Sequence, residues 1–150
     1  MEKELIVEKE IGIDMGHRVP NHKSACRNLH GHRYKIVVGV SGFLIDKKGD
    51  SSEGMVIDFK DLKTVLMNEI HDKFDHGFVM YDGDKFVDKF RELKETEGQN
   101  IHFVPFIPTA ENLAKYWFEL MEQILKNEYK IELKYIKVWE TPTSVAIYEK

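Results

Sequence analysis

Every second residue is apolar from Ile11 to Met15, and again from Tyr34 to Val40. A period of two marks strands whose alternate side chains share one face. The spacing predicts a first strand from about Leu5 to Met15 and a second from about Gly31 to Leu44. Gly16 to Leu29 reads as the loop between them, and the polar run Asp46 to Gly54 as the connection that closes the second strand. The period then lengthens. Leu62, Val65, Leu66, Ile70 and Phe74 recur at helical spacing behind Asp58, a helix-capping residue, with Gly77 as the stop. Leu113, Trp117, Leu120, Met121, Ile124 and Leu125 form a second stripe, opened by Thr109 as cap with Glu111 in the first turn. Two strands end the chain, about Lys134 to Glu140 and Ser144 to Tyr148, around Thr141-Pro142-Thr143.

Tyr81 to Phe106 is the least regular stretch. Phe86, Val87, Phe90 and Leu93 share a helical face, Glu95 to Asn100 reads as a polar loop, and the length of the connection makes it a candidate lid. The order β-β-α-α-β-β, with both long helices amphipathic, predicts an α+β fold. The expected architecture is one four-stranded antiparallel sheet with two helices on one face. No repeat or boundary interrupts residues 1–150, which read as a single domain.

The strand pattern also carries the candidate chemistry. His17 is the next member of the series Ile11, Ile13, Met15, while His30 and His32 stand in line with Tyr34, Ile36 and Val38. Two strands thus end by placing imidazole where apolar side chains stood. Three histidines converging at the end of a paired sheet are the ligand set of a catalytic-type zinc site, with one position open. Packing is the competing explanation, since a histidine beside a strand is commonly a surface or hydrogen-bonded residue and an isolated HxH is a weak signal. Glu140 continues the face of Ile136 and Val138. It either lies beyond the sheet rim in water or accepts from a buried ligand rich in N–H groups, because an unpaired buried carboxylate is costly. Asp75-His76 is either a helix C-terminal pair or a proton relay in which the aspartate orients the imidazole.

Composition narrows the setting. At 42% hydrophobic and 32% charged, the 150 residues suffice for a core without disulfide or metal staples. A net charge of −4 offers no basic face for nucleic acid. No apolar run is long enough to span a membrane, the first ten residues lack the pattern of a signal peptide, and the one cysteine, Cys26, fits a reducing compartment. A cytoplasmic protein that binds neither membrane nor nucleic acid is expected.

Taken in order, five blocks resemble one family. They are Cys26-x-x-x-His30-Gly31-His32 with His17 upstream, Gly54-Met55-Val56-Ile57-Asp58-Phe59, Asp75-His76, Pro108-Thr109-Ala110-Glu111-Asn112-Leu113, and Glu140-Thr141. The set is similar to the 6-pyruvoyl-tetrahydropterin synthase / 6-carboxy-tetrahydropterin synthase family from about Ile11 to Tyr148. The resemblance implies the tunnelling fold (T-fold), whose strands close into barrels across subunits, usually as a homohexamer that is a dimer of trimers with sites at subunit interfaces. It further implies that His17, His30 and His32 bind zinc, which acts as a Lewis acid on the hydroxyls of a pterin C6 side chain. Cys26 would be the base that removes a side-chain proton, and Asp75 with His76 the relay for the other proton. Glu140 would anchor the pterin ring, with Thr109 and Glu111 near the same pocket. The three residues between Cys26 and His30 resemble members that turn 7,8-dihydroneopterin triphosphate into 6-carboxy-5,6,7,8-tetrahydropterin, acetaldehyde and triphosphate, for queuosine and related 7-deazapurines. Pyruvoyl-forming members usually carry a longer gap. Pyruvoyl formation, another pterin side-chain cleavage, or a non-catalytic zinc-containing subunit that binds pterin or purine are the alternatives.

Overall fold

Strands β1 (Leu5–His17) and β2 (His30–Gly42) pair antiparallel along their full length in the computed structural model, which describes residues 2–150. Their register sets Ile11 against Ile36, Ile13 against Tyr34, Met15 against His32 and His17 against His30. The alternation read from the sequence is therefore physical: Ile11, Ile13, Met15, Tyr34, Ile36, Val38 and Val40 are buried on one face. Their burial from water is the main force that fixes this register, since a slip of one residue would turn the whole set outward.

Two long helices cover that face. α1 (Phe59–Leu66) starts where the Asp58 carboxylate accepts the Lys60 N–H at 2.8 Å. It runs on through a π-helical turn (Met67–His71) and a last turn (Asp72–Phe74). Three short elements follow: strand β3 (Gly77–Tyr81), helix α2 (Val87–Glu97) and strand β4 (Ile101–Val104). α3 (Ala110–Ile124) is capped by Thr109, whose hydroxyl accepts the Asn112 N–H at 3.3 Å. Strands β5 (Glu132–Thr141) and β6 (Ser144–Glu149) complete the chain. Leu62, Leu66 and Ile70 from the first helical segment and Leu113, Trp117 and Met121 from α3 are fully buried against the sheet in one core.

The expected sheet needs correction. It has six strands in the order β4-β3-β1-β2-β5-β6, not four, and it is mixed, because β3 runs parallel to β1 and β4 parallel to β3. Among the described residues there are three α-helices of eight or more residues, not two. The third, α2, crosses between the two parallel strands and buries none of its residues. Its Phe90 packs on Phe78, which lies opposite Gly16 and so on the face of the sheet away from the long helices. Strands of five and four residues are too short to display a period, which hid them in the sequence. Gly77 is not the helix stop: the left-handed residue is His76 (φ 60°), while Gly77 opens β3, where a Cβ would press on Asn100 and the Phe74 carbonyl. Gly98, at φ 64°, ends α2 and extends that helix through part of the expected polar loop. The candidate lid is thus anchored at both ends by sheet strands.

Candidate active site

β1 and β2 deliver three imidazoles to one point. His17 and His30 are a register pair, and His32 lies two residues along the same face, so the ring centroids are 4.6 to 5.1 Å apart. One ring nitrogen from each lies within 4.8 Å of the others. Backbone carbonyls choose which nitrogen faces inward. The His17 Nδ1–H donates to Pro108 O at 2.7 Å, and the His30 Nδ1–H donates to Asn28 O at 2.7 Å. In both rings the proton is held on Nδ1, so Nε2 carries a lone pair toward the centre. The Nε2 atoms of His17, His30 and His32 are all buried with no hydrogen-bond partner among the described residues.

Three partnerless nitrogens in one spot are costly unless something fills the gap between them. Burial first, then the neighbouring His30 and His32, pulls the His17 pKa down from 6.5 to about 4. Burial likewise lowers that of His32. His17 and His32 are therefore disposed to be neutral, as metal coordination requires. Three imidazoles whose buried Nε2 atoms converge on one point fit a divalent metal ion.

Glu140 completes the wall. Its Oε1 lies 3.5 Å from the Nε2 atoms of both His17 and His32, and its side chain is 29% exposed. The carboxylate thus faces the histidines and does not stand beyond the sheet rim in water. A β-bulge contributes to this, since Trp139 pairs with Val145 and Thr141 with Ser144, leaving Glu140 as the extra residue. The Tyr34 hydroxyl is also buried without a partner, and its ring stands edge-on to His17 and His32. Thr109 is half-buried next to the His17-binding carbonyl of Pro108, whereas Glu111 is exposed on the first turn of α3.

Cys26 lies on the loop joining the two histidine-bearing strand ends, in a short 3-10 turn (Ala25–Arg27), and is partly buried. Its carbonyl accepts the Val19 N–H at 2.8 Å, which folds the loop back on the end of β1. Asp75 and His76 are placed elsewhere. Asp75 Oδ1 accepts the Asp14 N–H at 2.8 Å, and the His76 Nδ1–H donates to Asp75 Oδ2 at 2.7 Å. The Asp14 amide bond is the main reason the Asp75 carboxyl sits below its usual range. Asp14, Asp75 and His76 form a second close group, in which Asp14 projects from the face of β1 opposite Met15 and His17. Asp75 and His76 are thus hydrogen-bonded to each other, but they group with Asp14 and not with the histidine trio.

A family model described as 6-pyruvoyl tetrahydropterin synthase matches residues 6–150. The chain belongs to this family. Relatives named 6-carboxy-5,6,7,8-tetrahydropterin synthase include one from Haemophilus influenzae, 35% identical over 96% of this chain and 98% of its own length. Another, from Rickettsia bellii, is 31% identical over 89% of this chain and 92% of its own. Among solved structures, the 6-pyruvoyl tetrahydropterin synthase of Caenorhabditis elegans is similar in fold, with a TM-score of 0.67 and 25% identity over 99% of this chain and 97% of that one. An uncharacterised protein from Wolinella succinogenes has the same fold at a TM-score of 0.78, with 24% identity over 99% of each chain.

Within this member of the 6-pyruvoyl tetrahydropterin synthase family, sequence reasoning missed the groups that orient the histidines. Pro108 and Asn28 act through backbone carbonyls, which no residue type advertises. Among the described residues, no helix is long and apolar enough to cross a membrane.

Proposed function

We propose that this protein is a zinc-dependent lyase that converts 7,8-dihydroneopterin triphosphate to 6-carboxy-5,6,7,8-tetrahydropterin, releasing acetaldehyde and triphosphate. Queuosine and related 7-deazapurine synthesis, in the cytoplasm, is the corresponding setting. The observation that carries the reading is the buried trio of partnerless imidazole nitrogens beside Glu140, in a chain 35% identical over nearly its full length to a 6-carboxy-5,6,7,8-tetrahydropterin synthase.

His17, His30 and His32 would hold zinc, which when bound supplies Lewis acidity toward the side-chain hydroxyls of the substrate. The carbonyls of Pro108 and Asn28 hold His17 and His30 in the ligating tautomer. Glu140 accepts from the N–H edge of the pterin ring, and this charge-assisted pairing offsets the cost of its partial burial. Thr109 and Glu111 flank the same pocket. Cys26 removes a proton from the substrate side chain. Asp75 keeps the His76 Nδ1–H engaged, which leaves Nε2 as the atom that exchanges the second proton.

Because Asp75–His76 and the trio lie on opposite faces of one sheet, the complete site would draw on more than one subunit. A homohexamer built as a dimer of trimers supplies that arrangement.

Mass spectrometry of zinc-loaded protein incubated with 7,8-dihydroneopterin triphosphate tests the reaction. The expected products are 6-carboxy-5,6,7,8-tetrahydropterin and acetaldehyde. A pyruvoyl or hydroxymethyl pterin would instead assign a different cleavage to the same site, and absence of turnover would favour a pterin- or purine-binding subunit. Cys26→Ala should keep its zinc yet lose turnover by on the order of a hundredfold or more; an active variant would remove Cys26 as the base.

A further inference from the structure

A buried ion pair next to the candidate site has no part in the chemistry above. Arg18 and Asp84 are 4% and 3% exposed, and Arg18 Nε donates to Asp84 Oδ2 at 2.6 Å. The guanidinium spends a second donor on the Arg27 carbonyl, at 2.8 Å, and lies over the Phe86 ring at 4.3 Å. Its sequence neighbours matter. Arg18 follows His17 directly, and Arg27 follows Cys26 directly. One planar side chain therefore joins the residue after a candidate metal ligand, the residue after the candidate base, and the β3–α2 connection.

Asp84 is itself fixed. Its Oδ1 accepts the Phe86 N–H at 2.9 Å and its own N–H donates to Tyr81 O at 3.0 Å. The Cys26 loop has a parallel tie in the Val19 N–H to Cys26 O bond, continued by the His22 N–H to Val19 O bond at 3.0 Å. Stability alone does not account for such a pair, because replacing a buried ion pair by apolar side chains is often neutral or stabilising. What the pair adds is direction. A fork anchored on Asp84 and stacked on Phe86 has its remaining donors fixed in space, and one of them ends on the carbonyl of Arg27, the residue after Cys26.

We propose that Arg18, held by Asp84 and Phe86, is a positioning residue that sets the Cys26 loop relative to the histidine-bearing strand end. This rests on the reading of Cys26 as the base, while its tether can be measured without turnover.

The test compares zinc-loaded wild type with Arg18→Met/Asp84→Asn, in which the amide oxygen still accepts from Phe86 N–H. The double variant should keep its zinc content, oligomer size and KM, show faster hydrogen exchange at the Val19 amide, and lose roughly tenfold or more in kcat, as small misplacements of a catalytic group do. A kcat near wild type, or a lower kcat with unchanged Val19 exchange, overturns the proposal. Should the double variant not fold, Arg18→Lys carries the test, since a single ammonium replaces the planar fork. Faster Val19 exchange with lower kcat is then expected, and wild-type values of both overturn it. Cys26→Ala is run alongside. If that variant is active, the base assignment fails by itself, and Val19 exchange alone decides the tether: faster supports it and unchanged overturns it.

Discussion

At the scale of single residues, the proposed function has the histidine trio hold the metal and Glu140 hold the substrate. His30→Ala should lower zinc affinity on the order of a hundredfold or more, beyond the ~10–100-fold that a lost outer partner costs. Glu140→Gln should keep the zinc and raise the substrate Kd, because an amide cannot accept from two N–H groups with a full negative charge. Zinc content by metal analysis and substrate binding by calorimetry separate the two effects. Burial of His17 has its own pH signature. In the unfolded chain this imidazole takes up a proton near pH 6.5, and in the fold only near 4. The contribution of His17 to the stability of zinc-stripped protein is therefore complete above pH 6.5 and falls as the pH drops through that window. Urea midpoints measured from pH 7.5 to 4 should record a decline that is weaker in His17→Asn.

At the scale of elements, the sheet contains a close approach at Gly39. A Cβ at Gly39 of β2 would land on the Tyr135 ring, which crosses this position so that its hydroxyl can donate to Glu8 on β1 at 2.6 Å. Gly39→Ala should displace that ring and cost about 1–3 kcal/mol, read from denaturant unfolding, as overpacking does. Glu8→Gln should cost much less. The long elements were legible because their periods are sustained over many residues: Ile11 to His17 and His30 to Val40 keep every second side chain inward. The site was legible through the same pattern, since His17, His30, His32 and Glu140 prolong the buried faces of their strands. β3 and β4 were not, being too short for a period and separated by α2, which buries none of its residues. The ion pair of Arg18 with Asp84 was invisible for a different reason. Its partners are 66 residues apart and meet only because β3 pairs in parallel with the end of β1.

At the scale of the whole molecule, the two chemical groups face away from each other. The trio belongs to the face under the two long helices, with Cys26 on the loop joining its strand ends, while Asp75 and His76 stand with Asp14, which projects from the other face. If neighbouring copies close the site, two inactive proteins should repair one another. Mixing Cys26→Ala with His76→Ala subunits, after dissociation and reassembly, should restore measurable turnover, whereas either variant reassembled alone should not. Failure of that complementation in correctly sized mixed assemblies would confine the chemistry to one chain.

The pairing of His17 with His30 has a consequence for how such a protein can change over time. These residues are held opposite each other by the β1–β2 ladder, not by the chain that runs between them. Insertions or deletions among the exposed residues 21–24 would lengthen or shorten the loop without changing that pairing. On the proposed function, the hairpin separates two heritable traits: the positions of the metal ligands would be locked into strand register, while the loop that carries Cys26 could vary in length. A lineage could then remodel that loop and keep the same histidine-bearing strand ends throughout.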